Sequence, residues 1–211
     1  MSIRDVAGVL ADRASRAGLV LTEPLSARLL VYYELLARWN RTINLTSLSN
    51  PEEAVDRLLL EPVSAASHLP AGVDLIDLGS GGGSPAVPLA LALSSTRLVM
   101  VESRVRKAAF LREVLRELAI PGAVEAVRFE EVAARPAFAG AFDLVSVRAV
   151  RLDESTFEAI GALLRTGGQA ALFRTEGAED PPSGLRLPLQ WVGTVPLVAS
   201  SKSALTILHK A

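Results

Sequence analysis

The stretch Asp77-Leu78-Gly79-Ser80-Gly81-Gly82-Gly83 puts four glycines within five positions, directly after the apolar run Val73–Leu78. Lacking Cβ atoms, such residues take tight backbone angles and let a ligand come close to the main chain. The apolar segment Val87–Leu93 follows and reads as a helix. The glycines therefore join the carboxyl end of a strand to a helix start, where nucleotide-type ligands bind in open α/β sheets. Glu102 ends the next apolar run, 23 residues after Gly79. A carboxylate there accepts both hydroxyls of a ribose.

The order of strand, glycine loop, helix, strand and terminal acid narrows the ligand. A dinucleotide loop has Gly or Ala at its sixth position, for close helix–strand packing. Here that position is Ser84, with Pro85 behind it. The residues fit G-x-G-x-G better, the pattern of methyltransferases that use S-adenosylmethionine. No phosphate-cradling loop with a terminal lysine is present, which disfavours a nucleotidase. A serine hydrolase is a remote alternative: Gly82-Gly83-Ser84-Pro85-Ala86 approaches a nucleophile elbow, and Asp143 and His209 follow in order. Against it, Ser84 lies several residues past the strand, and His209 falls inside a predicted strand. A module that binds the cosubstrate without turnover is another alternative.

Composition bounds the rest. The 211 residues suffice for one α/β domain and a short extension, and the 50% hydrophobic fraction supports a sizeable core. Cysteine is absent and the two histidines, His68 and His209, stand apart, so neither thiol chemistry nor a metal site is expected. The net charge of -1 excludes a generically basic nucleic-acid coat. Any RNA contact must use local charge, for which Arg38, Arg41, Arg57, Arg104, Arg106 and Lys107 are candidates. No signal-peptide core or membrane span is visible, so a cytoplasmic protein is expected.

Residues 1–70 read as a helical cap, and residues 71–211 as the domain that carries the glycine loop. Thr22 is placed to cap a helix with Leu25, Leu29, Tyr32, Leu36 and Trp39 on one face. Asn50-Pro51-Glu52-Glu53 is a second helix start, and Pro62 is expected to kink or end that helix near Glu61. Beyond Val73 the predicted strands are Val73–Leu78, Leu98–Glu102, Ala123–Arg128, Phe142–Val147, Gln169–Arg174, Leu189–Thr194 and Ala204–His209. Their alternation with helical segments such as Arg104–Leu118 indicates an α/β fold with a mostly parallel sheet. Asn40 and Asn44 fall at a helix end, where Asn commonly turns left-handed, and Trp39 lies on the apolar face as a core residue.

The run Trp39-Asn40-Arg41-Thr42-Ile43-Asn44-Leu45-Thr46 resembles the W-N-x-x-x-N-L-T signature of the glucose-inhibited division protein B family. The resemblance continues through Asp77–Pro88, Arg106-Lys107, Phe110-Leu111, Arg128–Glu131 and Phe142–Ala149. Members of that family are 16S ribosomal RNA guanine-N7 methyltransferases. The resemblance implies a class I, Rossmann-like methyltransferase fold: a seven-stranded sheet with its last strand antiparallel, behind an N-terminal helical cap. It implies S-adenosylmethionine as cosubstrate, ribosomal RNA or the small ribosomal subunit as partner, and a monomer. By motif, the cosubstrate contacts fall on Gly79, Ser84, Phe129, Glu130 and Arg148. Asp77, Gly81 and Gly83 belong to the same loop, and Glu102 takes the ribose. Arg148 is also the candidate for positioning the substrate. The chain departs from the family at Leu58 and Pro62, in place of His and Ser, and at Glu61, in place of Asp. It departs further at Ser84, at Val147 in place of Ser, and at Arg174-Thr175 in place of Lys-Gly. These departures concentrate on the acceptor side.

Overall fold

Two helices of the cap begin where capping residues put them, at Thr22 and Asn50. A computed structural model describes residues 3–47 and 50–211. Helix α1 spans Ile3–Arg16, and α2 spans Glu23–Trp39, with Thr22 accepting from the Leu25 N–H at its start. Helix α3, Pro51–Val55, starts with the Asn50 side chain accepting from the Glu52 and Glu53 N–H groups. Of the two outcomes expected at Pro62, a kink or an end, the end does not occur: the helix continues, but its regular hydrogen bonding is interrupted just before Glu61. The chain runs through a π-helical turn, Asp56–Leu60, directly into α4, Glu61–Ala66, whose second residue is Pro62; the carbonyl that its missing N–H leaves free, that of Leu58, accepts from Ser84 Oγ instead.

The seven predicted strands all form: β1 Asp74–Leu78, β2 Arg97–Val101, β3 Gly122–Glu125, β4 Phe142–Arg148, β5 Leu164–Thr175, β6 Leu189–Pro196 and β7 Ser203–Lys210. Between them lie α5 Ala86–Leu93, α6 Val105–Glu117, α7 Phe129–Ala133 and α8 Glu154–Leu163. The sheet order is β3-β2-β1-β4-β5-β7-β6. Strands β1 to β5 are mutually parallel, and β7 runs antiparallel to both of its neighbours. Sequence order reverses at β1, with β2 on one side and β4 on the other, which opens a crevice at their carboxyl ends.

In the central strands side chains alternate across two buried faces, which is why β1, β2 and β4 read as largely apolar runs. Leu75, Leu98, Met100, Leu144 and Phe173 pack toward the cap with α5 and α6. Ile76, Leu78, Val99, Val145 and Leu172 pack against α8 through Phe157, Ile160 and Leu163. The cap has no separate core: Val6, Leu29, Tyr32 and Leu36 belong to the same apolar cluster as the first sheet face. Among the described residues no helix is long and apolar enough to cross a membrane.

Candidate functional site

The glycine loop leaves β1 and bonds to the neighbouring strand: the Gly79 and Ser80 N–H groups both donate to the Val101 carbonyl, each at 2.9 Å. Gly79 has φ +76°, and a Cβ there would sit 2.7 Å from a Val150 methyl. Only glycine lets the end of β4 lie this close to the loop. The cap covers the loop from the other side. The fully buried Tyr32 hydroxyl donates to the Gly82 carbonyl at 2.6 Å. Burial drives the Tyr32 pKa far upward, so this hydroxyl stays a donor. The Asn40 side chain accepts from the Leu45 and Thr46 N–H groups at 2.8 and 2.9 Å and donates to the Thr46 carbonyl. Asn40 is right-handed rather than left-handed; it organises the loop through its amide, not its backbone. The result is to lay Leu45 over Gly82, where a Cβ would meet the Leu45 carbonyl at 3.1 Å. Replacing Tyr32 by Phe leaves that glycine carbonyl unpaired. The expected cost is about 1 kcal/mol of stability in urea titration, with a roughly threefold loss of cosubstrate affinity by calorimetry as the loop loosens.

A cleft of about 470 Å³ opens between the loop and the ends of β2 and β4. Gly79, Gly81, Ser84, Glu102, Phe129, Glu130 and Arg148 line it, as the sequence suggested. Ser80, Val127 and Arg128 line it too; Ser80 and Arg128 fall inside the family motifs but outside the contacts those motifs imply, and nothing in the sequence marks Val127. Glu102 is buried, with its carboxylate accepting from the Gly81 N–H at 2.9 Å and the Arg104 N–H at 2.8 Å. Backbone amides thus aim the carboxylate, with no arginine ion pair holding it among the described residues. Phe129 and Glu130 open α7 on the opposite wall. Glu131 instead accepts from the Arg128 N–H at that helix start and serves the cap.

Two loop residues do not face the cleft. Gly83 turns toward Leu111, Tyr32 and Val87, each within 3.3 Å of a Cβ placed there. Asp77 lies behind the loop, 1% exposed, and accepts from the Ser146 hydroxyl at 2.5 Å. Burial pushes its pKa up to about 6, against the opposing hydrogen bonds from Ser146 and Ser80 and the charge of Arg148. A folded-state pKa above the unfolded one means the native chain holds this proton more tightly. The stabilisation is therefore full below about pH 4 and lost as pH rises through about 6. In urea titrations, the wild type should lose on the order of 3 kcal/mol relative to Asp77→Asn between pH 4 and pH 7. Parallel pH profiles for the two proteins would show that folding does not raise the Asp77 pKa.

Arg148 ends β4 and is mostly buried. Its guanidinium donates to Glu61 Oε2 at 2.7 Å, to the Arg57 carbonyl at 2.6 Å and to Ser84 Oγ at 3.3 Å, and lies 4.6 Å from the Phe173 ring centre. The π-helical turn supplies part of this nest. It shifts the Glu61 N–H onto the Asp56 carbonyl, and Pro62 has no N–H to give. The Arg57 and Leu58 carbonyls are thereby deprived of their α-helical donors; Arg148 takes the first and Ser84 Oγ, at 2.9 Å, the second. The departures at Ser84, Glu61 and Pro62 are thus mutually adjusted.

The hydrolase alternative fails on geometry. Ser84 is engaged with Leu58 at the carboxyl edge of the sheet. His209 pairs with Gln169, which is level with Leu144 near the start of β4, and Asp143, beside it, accepts from the Asp74 N–H; both lie at the opposite edge. Among the proposed RNA-facing cations, Arg104 and Lys107 line the cleft, whereas Arg38 is ion-paired with Glu113. Trp39 donates to the same Glu113 at 3.0 Å and packs on Phe110, consistent with a core role.

A family model described as rRNA small subunit methyltransferase G (GidB) matches residues 26–194. The ribosomal RNA small subunit methyltransferase G of Xanthomonas campestris pv. campestris is 36% identical over 211 residues, covering 98% of this chain and 96% of the relative. That of Trichormus variabilis is 31% identical, covering 88% and 79%. Among solved structures, a mutant of MtNAS in complex with S-adenosylmethionine aligns with TM-score 0.55 at 13% identity, covering 97% of this chain and 73% of the other. The cyclase SpnF aligns with TM-score 0.57 at 16% identity, covering 78% and 84%. These last two share the fold, which by itself carries no particular reaction.

Proposed function

The chain belongs to the GidB family of rRNA small subunit methyltransferases, and on that premise we propose that it methylates N7 of a guanine in 16S ribosomal RNA with S-adenosylmethionine as donor. The observation that carries this reading is the Glu102 carboxylate, fixed by two backbone amides at the mouth of a cleft walled by the glycine loop. The residues present suit that cosubstrate. Glu102 would take the ribose hydroxyls, Gly79 and Gly81 admit the ligand against bare backbone, and Phe129 offers an apolar wall for a nucleobase.

When bound, S-adenosylmethionine supplies a sulfonium methyl: the N7 lone pair forms the new N–C bond, the C–S bond breaks toward sulfur, and no proton moves. The chain therefore needs to align and exclude water rather than abstract a proton. Its cleft suits this task, since the carboxylate with a raised pKa, Asp77, is sequestered behind the loop. Arg148 positions the acceptor or the cosubstrate carboxylate from the boundary of the cleft. Arg104 and Lys107 at the rim, with the exposed Arg41 and Arg57 of the cap, meet RNA phosphates and make binding salt-sensitive. The cap at residues 1–70 acts with the catalytic domain as one unit in a monomer. Its place of work is the cytoplasm, where the ribosomal substrate resides.

The test is incubation with methyl-labelled S-adenosylmethionine and small ribosomal subunits from cells lacking the modification, followed by digestion to nucleosides. Labelled 7-methylguanosine is expected. Label on another nucleotide would instead favour a changed acceptor, for which the substitutions at Leu58, Pro62 and Val147 are the motive. Cosubstrate binding without any label would sink the enzymatic reading on this RNA.

A further inference from the structure

Beyond the cosubstrate cleft lies a second cavity of about 430 Å³, which shares only Arg148, Ala149 and Val150 with the first. Its wall combines three kinds of surface. Val147 and Phe173 are apolar, Arg57 and Lys202 are exposed cations, and Glu61 is a carboxylate. Glu61 is 1% exposed. One of its oxygens, Oε2, accepts from Arg148; the other, Oε1, is buried and has no hydrogen-bond donor among the described residues. Folding has stripped that oxygen of water without supplying a partner, an arrangement that calls for an explanation in a ligand.

Resting on the proposed rRNA methylation, we infer that this second cavity receives the acceptor base and that Glu61 Oε1 reads its Watson–Crick edge. Guanine carries two adjacent donors on that edge, the N1–H and the 2-amino group. Adenine and cytosine present a ring-nitrogen acceptor in the corresponding place, which a carboxylate repels. Uracil offers a single N–H between two carbonyls. A carboxylate whose second oxygen is already committed to an arginine therefore selects guanine. Holding the purine by its Watson–Crick edge leaves N7, on the opposite side of the ring system, free to react. Phe173, beneath the Arg148 guanidinium, gives this side of the sheet its apolar surface and suits the face of a base, whereas Val147 is 2% exposed and packs in the core on the opposite face. Arg57 and Lys202 at the rim suit the flanking phosphates. Arg148 is common to both cavities, so the residue that borders the methyl donor also fixes the guanine reader.

The test uses mononucleotides, so it is independent of methyl transfer. The protein is saturated with S-adenosylhomocysteine to close the first cleft, then titrated with GMP, IMP and AMP by ligand-observed NMR. GMP is expected to bind roughly tenfold more tightly than AMP, with IMP, which lacks the 2-amino group, between them. In Glu61→Gln the oxygen stays with Arg148 and an amide N–H₂ faces the base, so the three affinities should fall within about twofold of one another. Equal affinities in the wild type, or a GMP preference that survives in Glu61→Gln, would overturn the inference. The wild-type series decides even where the variant is poorly folded. A flat ranking alongside labelled 7-methylguanosine would sink the reader alone; absence of 7-methylguanosine would sink the proposed function and this inference with it.

Discussion

Glu102→Ala is expected to weaken S-adenosylmethionine binding by about two orders of magnitude, read by calorimetry. The carboxylate is already oriented by the Gly81 and Arg104 N–H groups, so a ribose meets a preorganised acceptor. Hydrogen bonds to a charged acceptor contribute about 1.5–3 kcal/mol. Its removal also leaves the Gly81 N–H without its partner, so the loop loses an anchor where it lines the cleft. Glu102→Gln keeps the shape and one acceptor oxygen, and should lose roughly tenfold. Both variants should still fold, because the strand beneath is held by its ladder with β1 and β3. An alanine variant that binds within threefold of wild type would show that the ribose is held elsewhere.

Arg148→Met should abolish detectable turnover, at least about 100-fold, and destabilise the chain by about 3 kcal/mol or more. The two effects have different origins. Stability falls because Glu61 is left as a buried charge without its partner. Turnover falls because the guanidinium that borders both cavities is gone. The double variant Arg148→Met with Glu61→Leu separates them. Removing both members of a buried pair is often neutral for stability, so urea midpoints should recover while methyl transfer does not. Recovery of both would reduce Arg148 to a structural role.

The residues that carried the site in the sequence were those whose chemistry is local. A glycine loop signals itself because its backbone angles exclude side chains, and Glu102 because it ends an apolar run. Thr22 and Asn50 marked helix starts because a capping side chain bonds to N–H groups two or three residues away. The central strands β1, β2 and β4 were legible because both sheet faces are buried there, whereas the edge strands β3 and β6 are largely exposed and were marked by shorter, mixed runs.

Other facts depend on contacts between distant segments. Pro62 reads as a helix breaker, yet it sits in the first turn of a continuing helix, since the π-helical turn before it had already rearranged the hydrogen bonds. Asp77 and Gly83 share a motif with Gly79 and Gly81 but do not line the cleft: Asp77 is still within β1 and bonded to Ser146 on β4, and Gly83 packs under Leu111, Tyr32 and Val87. Glu61 reads as a conservative change in a cap helix; only folding brings it 2.7 Å from Arg148, 87 residues away, and leaves its second oxygen unpaired. By itself, the sequence determined the α/β class, the strand list, the glycine loop and the family resemblance, all of which follow from local pattern. The tertiary structure alone decided which loop residues line the cleft, that cap and sheet share one core, and that Arg148 joins two cavities. Those outcomes rest on packing between segments far apart in the chain, which no local pattern encodes.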